Sequence, residues 1–572
     1  MLNHLVTHAR SKFSALEAGF GTATVKWRIS IALDSSAQIE PFGGEDGARI
    51  PNCPEFPDNL LQSGGKCNFL VDTLQVMLLH LDKKDDSEKF SAKHKYFTHL
   101  LREAGKQIPQ LLPAIDFFSS HDKLVPVQTR LKALDAKSSD KAFFVIAGLE
   151  PLKNEQCQAW WRKLRQQLLS ESVKKPNRMV CLLSGETTIP AQTHPKVSGL
   201  KIVGGRGQDI VVGYDKVAFK SYGLEQAENG AMSEAMADAY TKGLDDLIAN
   251  HSKTMAGTKV AHWFKEQVTP QDDPLAWLIE SQEHTEAAAQ GAARRLLEAI
   301  RKGERADLGN NHYYALTLSG ASGRVMVRDW MEGAFENLLS NIEAWFTDLS
   351  IVARDGNGQA YDPKFMAVCG ALVRELKDLP APTAATLWKV ALRRLPIPQP
   401  LMVQALVRLR IDIVDKDQPP FNHARMGLIK AYFVRLNSGG TTTMTAYLNP
   451  EHPEPAYHCG RLLAVLSNLQ RAALGDVGAS VVQRYYAAAS QTPGLIIGRL
   501  TSNARNHLNK LDGGLAHWYE DQIAEVMVRL GDGAPRILDL NGQGLFALGY
   551  YQQLAALRAG KKTNETAQGE TK

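Results

Sequence analysis

The residues best suited to meet a ligand lie in loops. The run SGGKCNF (63–69) sets Gly64 and Gly65 directly before Lys66 and Asn68. Glycine lets a backbone approach a ligand closely. Free backbone N–H groups, the Ser63 hydroxyl and the Lys66 ammonium suit a phosphate, and a carboxamide such as Asn68 suits a base edge. A second set follows in RGQ (206–208) and KSYG (220–223): Arg206, Lys220 and Tyr222, with Gln226 close behind. Arginine and tyrosine in glycine-rich loops fit strand contact and base stacking. The bland alternatives are a solvated turn before a helix and ordinary loop polarity. In the helical half, Arg408 with Arg410, Arg425 with Lys430 and Arg499 with Arg505 offer basic faces. Such residues otherwise lie on solvated faces, their stems covering apolar surface.

Signatures of catalysis are missing. There is no G-x-x-x-x-G-K-[ST] loop, no H-E-x-x-H and no G-x-S-x-G. GGRGQD (204–209) lacks the lysine and hydroxyl that hold phosphate and Mg²⁺, so it reads as a turn. His121-Asp122 is the pair a metal-dependent nuclease would use, but Ser119, Ser120 and Asp122 are equally explained as capping or turn residues. Cys181 and His194 can be drawn as a nucleophile and base, with nothing to orient them. The six cysteines are scattered and form no C-x-x-C, so buried thiols are expected rather than zinc ligands. No catalytic residue, metal or cofactor is assigned.

These residues need elements to hold them. The chain has 572 residues, 44% of them hydrophobic, and a net charge of +5. That exceeds one ordinary core and permits nucleic-acid binding without requiring it. No apolar run reaches the roughly 18 residues of a membrane span, and the first residues do not read as a secretory signal; the expected compartment is cytoplasm. The expected fold class is α+β: an irregular mixed N-terminal domain with long loops, then a mostly helical region ending in a C-terminal helical bundle. WRISIAL (27–33), KAFFVIAG (141–148) and MVCLLSG (179–185) read as strands, and the spacing predicts a helix from Leu70 to about Leu81. HYYALTLSG and GRVMVRDW (312–330) read as a hairpin. The expected divisions are a mixed α+β region at 1–230, a mostly helical middle at 231–443, a bundle at 444–555 and a disordered polar tail at 556–572.

Several segments, in order along most of the chain, resemble the large subunit of type I-C CRISPR surveillance complexes (Cascade), the Cas-eight family of c type. They are SGGKCNFLVD (63–72), CLLSGETTIPAQTHPKVSGL (181–200), FKSYGLEQAENGAMSEAMADAYTKGLDDLI (219–248), YYALTLSGASGRVMVRDW (313–330), GRLLAVLSNLQRAAL (460–474) and RYYAAASQTPGLIIGRLTSNARNHLNKL (484–511). The resemblance implies a non-catalytic, DNA-binding subunit beside the guide-RNA backbone subunits, touching the CRISPR RNA mainly indirectly. It would read the protospacer-adjacent motif (PAM) on target double-stranded DNA, help form the R-loop, hold the displaced single strand and recruit a helicase-nuclease in trans. It also implies a small helical subunit made from an internal start, for which Met444 is placed. On this reading Ser63, Gly64, Gly65, Lys66 and Asn68 lie nearest the PAM, with Arg206, Lys220 and Tyr222 on the strand. A metal-dependent nuclease using His121 and Asp122, and a purely structural assembly subunit, are the alternatives.

Overall fold

The computed structural model describes residues 1–13, 19–44, 46–56, 61, 65–172, 177–279, 288–415, 419–436, 444–475, 477, 479–531 and 533–569. The chain is mixed α+β, with most strands early and helices dominant later, as the sequence predicts. It divides into two compact units. The first holds Met1–Lys201, Gly205–Ala249 and Ala321–Val325; the second holds Ile202–Gly204, Asn250–Gly320 and Met326–Lys572.

Unit one begins with α1 (Leu2–Lys12), β1 (Phe20–Val25), β2 (Trp27–Ile31), β3 (Ala37–Pro41), β4 (Ala48–Pro54) and β5 (Val71–Thr73). Then come α2 (Leu74–Met77), α3 (Ser87–Gly105), α4 (Leu112–Ser119), α5 (His121–Ala133), β6 (Lys141–Ile146) and α6 (Glu155–Ser172). In β2, Trp27, Ile29 and Ile31 are buried and alternate with half-buried Arg28 and Ser30, the two-residue period of a strand. The main sheet runs β3-β2-β6-β5. β2 lies parallel to β6, with Ile29 opposite Phe144, and antiparallel to β3. Phe118 joins helix to sheet: its ring stands edge-on to Phe97, 5.2 Å away, and to Phe144, 5.3 Å away. Trp161 of α6 is fully buried between Phe56 and Phe69, and its indole N–H donates to the Gly19 carbonyl at 2.8 Å. The indole needs such a partner once buried.

The helix expected from Leu70 to Leu81 is largely absent. Val71–Thr73 pairs antiparallel with β6, and only Leu74–Met77 is helical. Leu74, Val76, Met77 and Leu78 are all buried, so the run has no solvent side to give it a helical stripe. The strand expected over 179–185 is equally short: β7 (Met179–Val180) pairs with β8 (Thr187–Thr188) across a turn closed by Gly185, at φ +73°. β9 (Val197–Ser198) pairs with β10 (Gln208–Asp209), and α7 (Glu234–Asn250) closes the unit.

Unit two carries an antiparallel sheet in the order β11-β12-β13-β14: β11 (Ser252–Met255), β12 (Thr258–Phe264), β13 (His312–Ala321) and β14 (Arg324–Ala334). The last two are the expected hairpin, whose tip at Ala321–Val325 belongs to unit one. The helices are α8 (Pro274–Ile279), α9 (Ala288–Arg301), α10 (Ala306–Gly309), α11 (Phe335–Leu349), α12 (Phe365–Gly370), α13 (Ala381–Arg393), α14 (Gln399–Val414) and α15 (His423–Leu436). After them come α16 (Pro455–Leu474), α17 (Val481–Ala489), α18 (Pro493–Leu508), α19 (Gly513–Leu530) and α20 (Leu540–Gly569). α16 packs against all four helices that follow it. Where it crosses α20 the backbones meet: a Cβ on Gly460 would overlap the Phe546 carbonyl, and one on Gly549 the Tyr457 carbonyl. Glycine permits that approach. α20 continues through the polar segment after 556 as far as Gly569. Among the described residues, no helix is long and apolar enough to cross a membrane.

Candidate nucleic-acid interface

The 65–73 loop is held by one carboxylate. Asp72 is buried, and its oxygens accept the backbone N–H of Asn68 at 2.8 Å and of Thr73 at 2.7 Å. Burial raises its pKa, and the two N–H donors work against that rise. The turn places Leu70 at φ +67° and Gly65 at φ +78°. Cys67 is buried with its thiol on the Lys93 carbonyl at 3.4 Å; burial and then the Asp72 charge push that thiol well up. Lys66 is half-buried between these anchors. Asn68 has its carbonyl oxygen committed to the Phe56 N–H at 3.1 Å, so its amide NH₂ is the part left to meet a base. Ser63 and Gly64 lie outside the described residues. Lys93 on α3 and Lys141 at the head of β6 act electrostatically on Asp72. Sequence reasoning missed both, since nothing local ties positions 93 and 141 to position 72.

The second candidate set sits on a different frame. Asp209 is fully buried and accepts the N–H groups of Arg206, at 3.0 Å, and Gly207, at 3.2 Å. This leaves the Arg206 side chain exposed on a tight loop. The hairpin tip comes beside it: Ile210 exchanges backbone hydrogen bonds with Gly323 and Val325. Arg324, which sequence reasoning also missed, pairs with Asp215 at 3.1 Å. Lys220 is exposed and 3.3 Å from Glu225, a surface pair of little strength. Tyr222 is 92% exposed and Val217 82%, an unusual showing of apolar surface beside Lys216 and Lys220. Gln226 opens a short 3-10 turn at φ +44°. Among the described residues, no hydrogen bond, ion pair or ring contact joins the 65–73 loop to the 206–222 segment.

The helical half sorts its arginines sharply. Asp412, almost fully buried, pairs with Arg408 and with Arg425 at 2.7 Å. Arg425 also donates to the carbonyls of Ala371 and Pro420. Lys430 is buried and donates to the carbonyls of Thr347 and Asp348; burial lowers its pKa to about 8. Arg410 donates to Gln543. These four are internal braces rather than a basic face. Arg499 and Arg505 of α18 remain exposed. Residues 477–511 contain no Asp or Glu while carrying Arg484, Arg499, Arg505 and Lys510, all exposed.

The groups considered for catalysis are placed differently. His121 and Asp122 are exposed in the first turn of α5. Among the described residues they join no cluster of three His, Cys, Asp or Glu side chains. Cys181 is buried. Burial pushes its thiol up, but hydrogen bonds from Ser184 and Ser233 outweigh this and bring it to about 7. His194 is buried against the Tyr240 hydroxyl, 2.8 Å away, and burial lowers its pKa to about 4. Each has its own structural partner, and among the described residues no hydrogen bond or ring contact joins the two.

The chain thus presents loop lysines, an exposed tyrosine and an acid-free basic helical stretch, residue types that suit contact with nucleic acid. The pattern of the CRISPR-associated protein family Cas_Csd1 matches residues 4–558. The chain belongs to that family, and is thereby a CRISPR-associated subunit of the Cascade type. No curated protein matches it.

Proposed function

We propose that this chain is the non-catalytic large subunit of a type I-C RNA-guided surveillance complex. It reads the PAM on duplex DNA, promotes unwinding, holds the displaced strand and recruits a helicase-nuclease, beside backbone subunits that carry the guide RNA. In such systems base pairing reads the sequence, while protein reads the PAM and the backbone.

The observation that carries this reading is the 65–73 loop. Asp72 fixes the turn, so the half-buried Lys66 and the Asn68 amide meet DNA with little conformational freedom left to lose. Lys66 supplies phosphate charge and the Asn68 NH₂ a donor for a base acceptor. Arg206, Lys220 and Tyr222 supply charge and a stacking ring for an opened strand. Arg499 and Arg505 extend the basic surface of the bundle.

The test is binding of the assembled complex to duplexes with and without the PAM. Lys66→Ala combined with Asn68→Ala is expected to weaken PAM-duplex binding about tenfold or more, with unchanged complex assembly and guide-RNA content. Equal binding by variant and parent would remove the loop from the PAM site. Binding that shows no PAM dependence once complex assembly is normalised would leave a purely structural assembly subunit.

A further inference from the structure

A cavity of about 400 Å³ opens within unit two, lined by none of the residues proposed above to meet DNA. One wall is the 353–361 loop, another the 419–423 segment before α15, and Tyr551 of α20 lines it from below. The loop is pre-built. Ala353 donates to the Gly358 carbonyl at 3.0 Å, and Ala360 to that of Ile351 at 2.8 Å. The Tyr551 hydroxyl donates to the Val352 carbonyl at 2.9 Å. Gly356, at φ +84°, sits so close to α20 that a Cβ would overlap the Ala555 carbonyl.

The cavity presents one guanidinium, that of Arg354, while a second braces its loop from outside the lining. Arg354 lines the cavity and makes no ion pair among the described residues; Arg558 is half-buried and donates to the Arg354 carbonyl at 3.2 Å. Burial first, and then the Arg354 charge, disfavour the protonated Arg558. Asp355 is the one carboxylate in the lining, and it is engaged: its oxygens accept the Asn357 backbone N–H at 3.1 Å and side-chain amide at 2.9 Å. The opposite wall is aromatic and amide-bearing. Tyr361 is 42% exposed, with its ring edge-on to His423 at 4.3 Å. Gln359 and Asn422 lie beside it. The His423 Nε2 is buried without a hydrogen-bond partner among the described residues. A buried unpaired ring nitrogen is costly unless a ligand satisfies it.

We propose that this cavity binds a nucleoside phosphate, with the phosphate on Arg354 and the base over Tyr361, its edge toward Gln359, Asn422 and His423. An anion alone would leave the aromatic and amide wall unused; an apolar ligand would leave the Arg354 guanidinium unused. The volume suits a ligand of this size. The nucleoside phosphate is either one residue of a single strand or a free nucleotide. The first source rests on the strand-holding reading above; the pocket chemistry does not.

The experiment uses the full chain and a single-stranded oligonucleotide carrying one 5-iodouracil. Irradiation followed by peptide mapping is expected to place a crosslink within 353–361 or 419–423. Tyr361→Ala should reduce it about tenfold, the order expected for one lost stacking contact, and Arg354→Gln should reduce it most at low salt, with a shallower salt dependence than the parent. Thermal melting checks that both variants fold; if Tyr361→Ala melts early, Tyr361→Phe should restore both melting and crosslink. Millimolar dTMP distinguishes the sources. A crosslink that dTMP displaces, with dTMP binding seen by calorimetry, identifies a free nucleotide; one that resists it identifies a strand. Either supports the pocket. Crosslinks confined to other peptides, with no dTMP binding, would overturn it. In that event PAM-duplex binding that still depends on Lys66 would leave the reading of the previous section standing.

Discussion

Asp72 and His194 show two uses of a buried titratable side chain. Asp72 organises the loop that bears Lys66 through two backbone N–H acceptances. Asp72→Ala leaves both donors unsatisfied and is expected to cost about 1–3 kcal/mol. It should also weaken PAM-duplex binding with Lys66 still present, measured by urea midpoint and gel shift on the same preparations. His194 is held neutral: its pKa falls from an ordinary 6.5 to about 4 because burial penalises the charged ring. Between those values the unfolded chain binds more protons than the folded one, so stability is full above about 6.5 and is lost as pH falls toward 4. His194→Phe should flatten that acid-side loss, which is on the order of 2 to 3 kcal/mol. Urea midpoints at pH 7 and pH 4.5 measure it; parallel losses in variant and parent would contradict the assignment.

At the scale of elements, arginines that look alike in sequence separate into braces and contacts. On α14 and α15, Asp412 neutralises Arg408 and Arg425 in a nearly dry setting. Asp412→Ala strands two buried charges and is expected to destabilise unit two by about 3–5 kcal/mol, seen as a lowered thermal midpoint with no specific change in DNA affinity. On α18, Arg499 and Arg505 are exposed in an acid-free stretch. Replacing both with serine should leave the melting temperature unchanged. It should also reduce the slope of log affinity against log salt for single-stranded DNA by about 1.4, from roughly 0.7 per phosphate contact. An unchanged slope would take α18 out of the interface.

Across the whole molecule, the core of unit two takes in Met444 and described residues on both sides of it. Val352 donates to the Ala446 carbonyl at 2.9 Å, and Phe421 stacks on Tyr550 with centroids 4.7 Å apart. A polypeptide starting at Met444 lacks Val352 and Phe421 and exposes the faces of α17 and α20 that they cover. Met444→Leu is expected to abolish any such product, detected by intact mass in the purified complex, while the full chain melts as before. Much of this architecture was legible in the sequence. Local periodicity announced strand β2, the β13–β14 hairpin and the terminal helices, and motifs in collinear order announced the family. Short local signals survive without tertiary context because they depend on residues three or four places apart. The loop at 63–69 was also legible as a candidate, since glycines beside a lysine and an amide are a local pattern. What only the tertiary structure decided depends on distant partners: that the run from Leu70 to Leu81 opens as a short strand, Val71–Thr73, against β6 and keeps only one helical turn at Leu74–Met77, that Lys93 and Lys141 stand near Asp72, and that Arg425 and Lys430 turn inward while Arg499 and Arg505 stay out. An amphipathic stripe tells which face of a helix is apolar, but not which carboxylate or carbonyl another element will bring to its arginines.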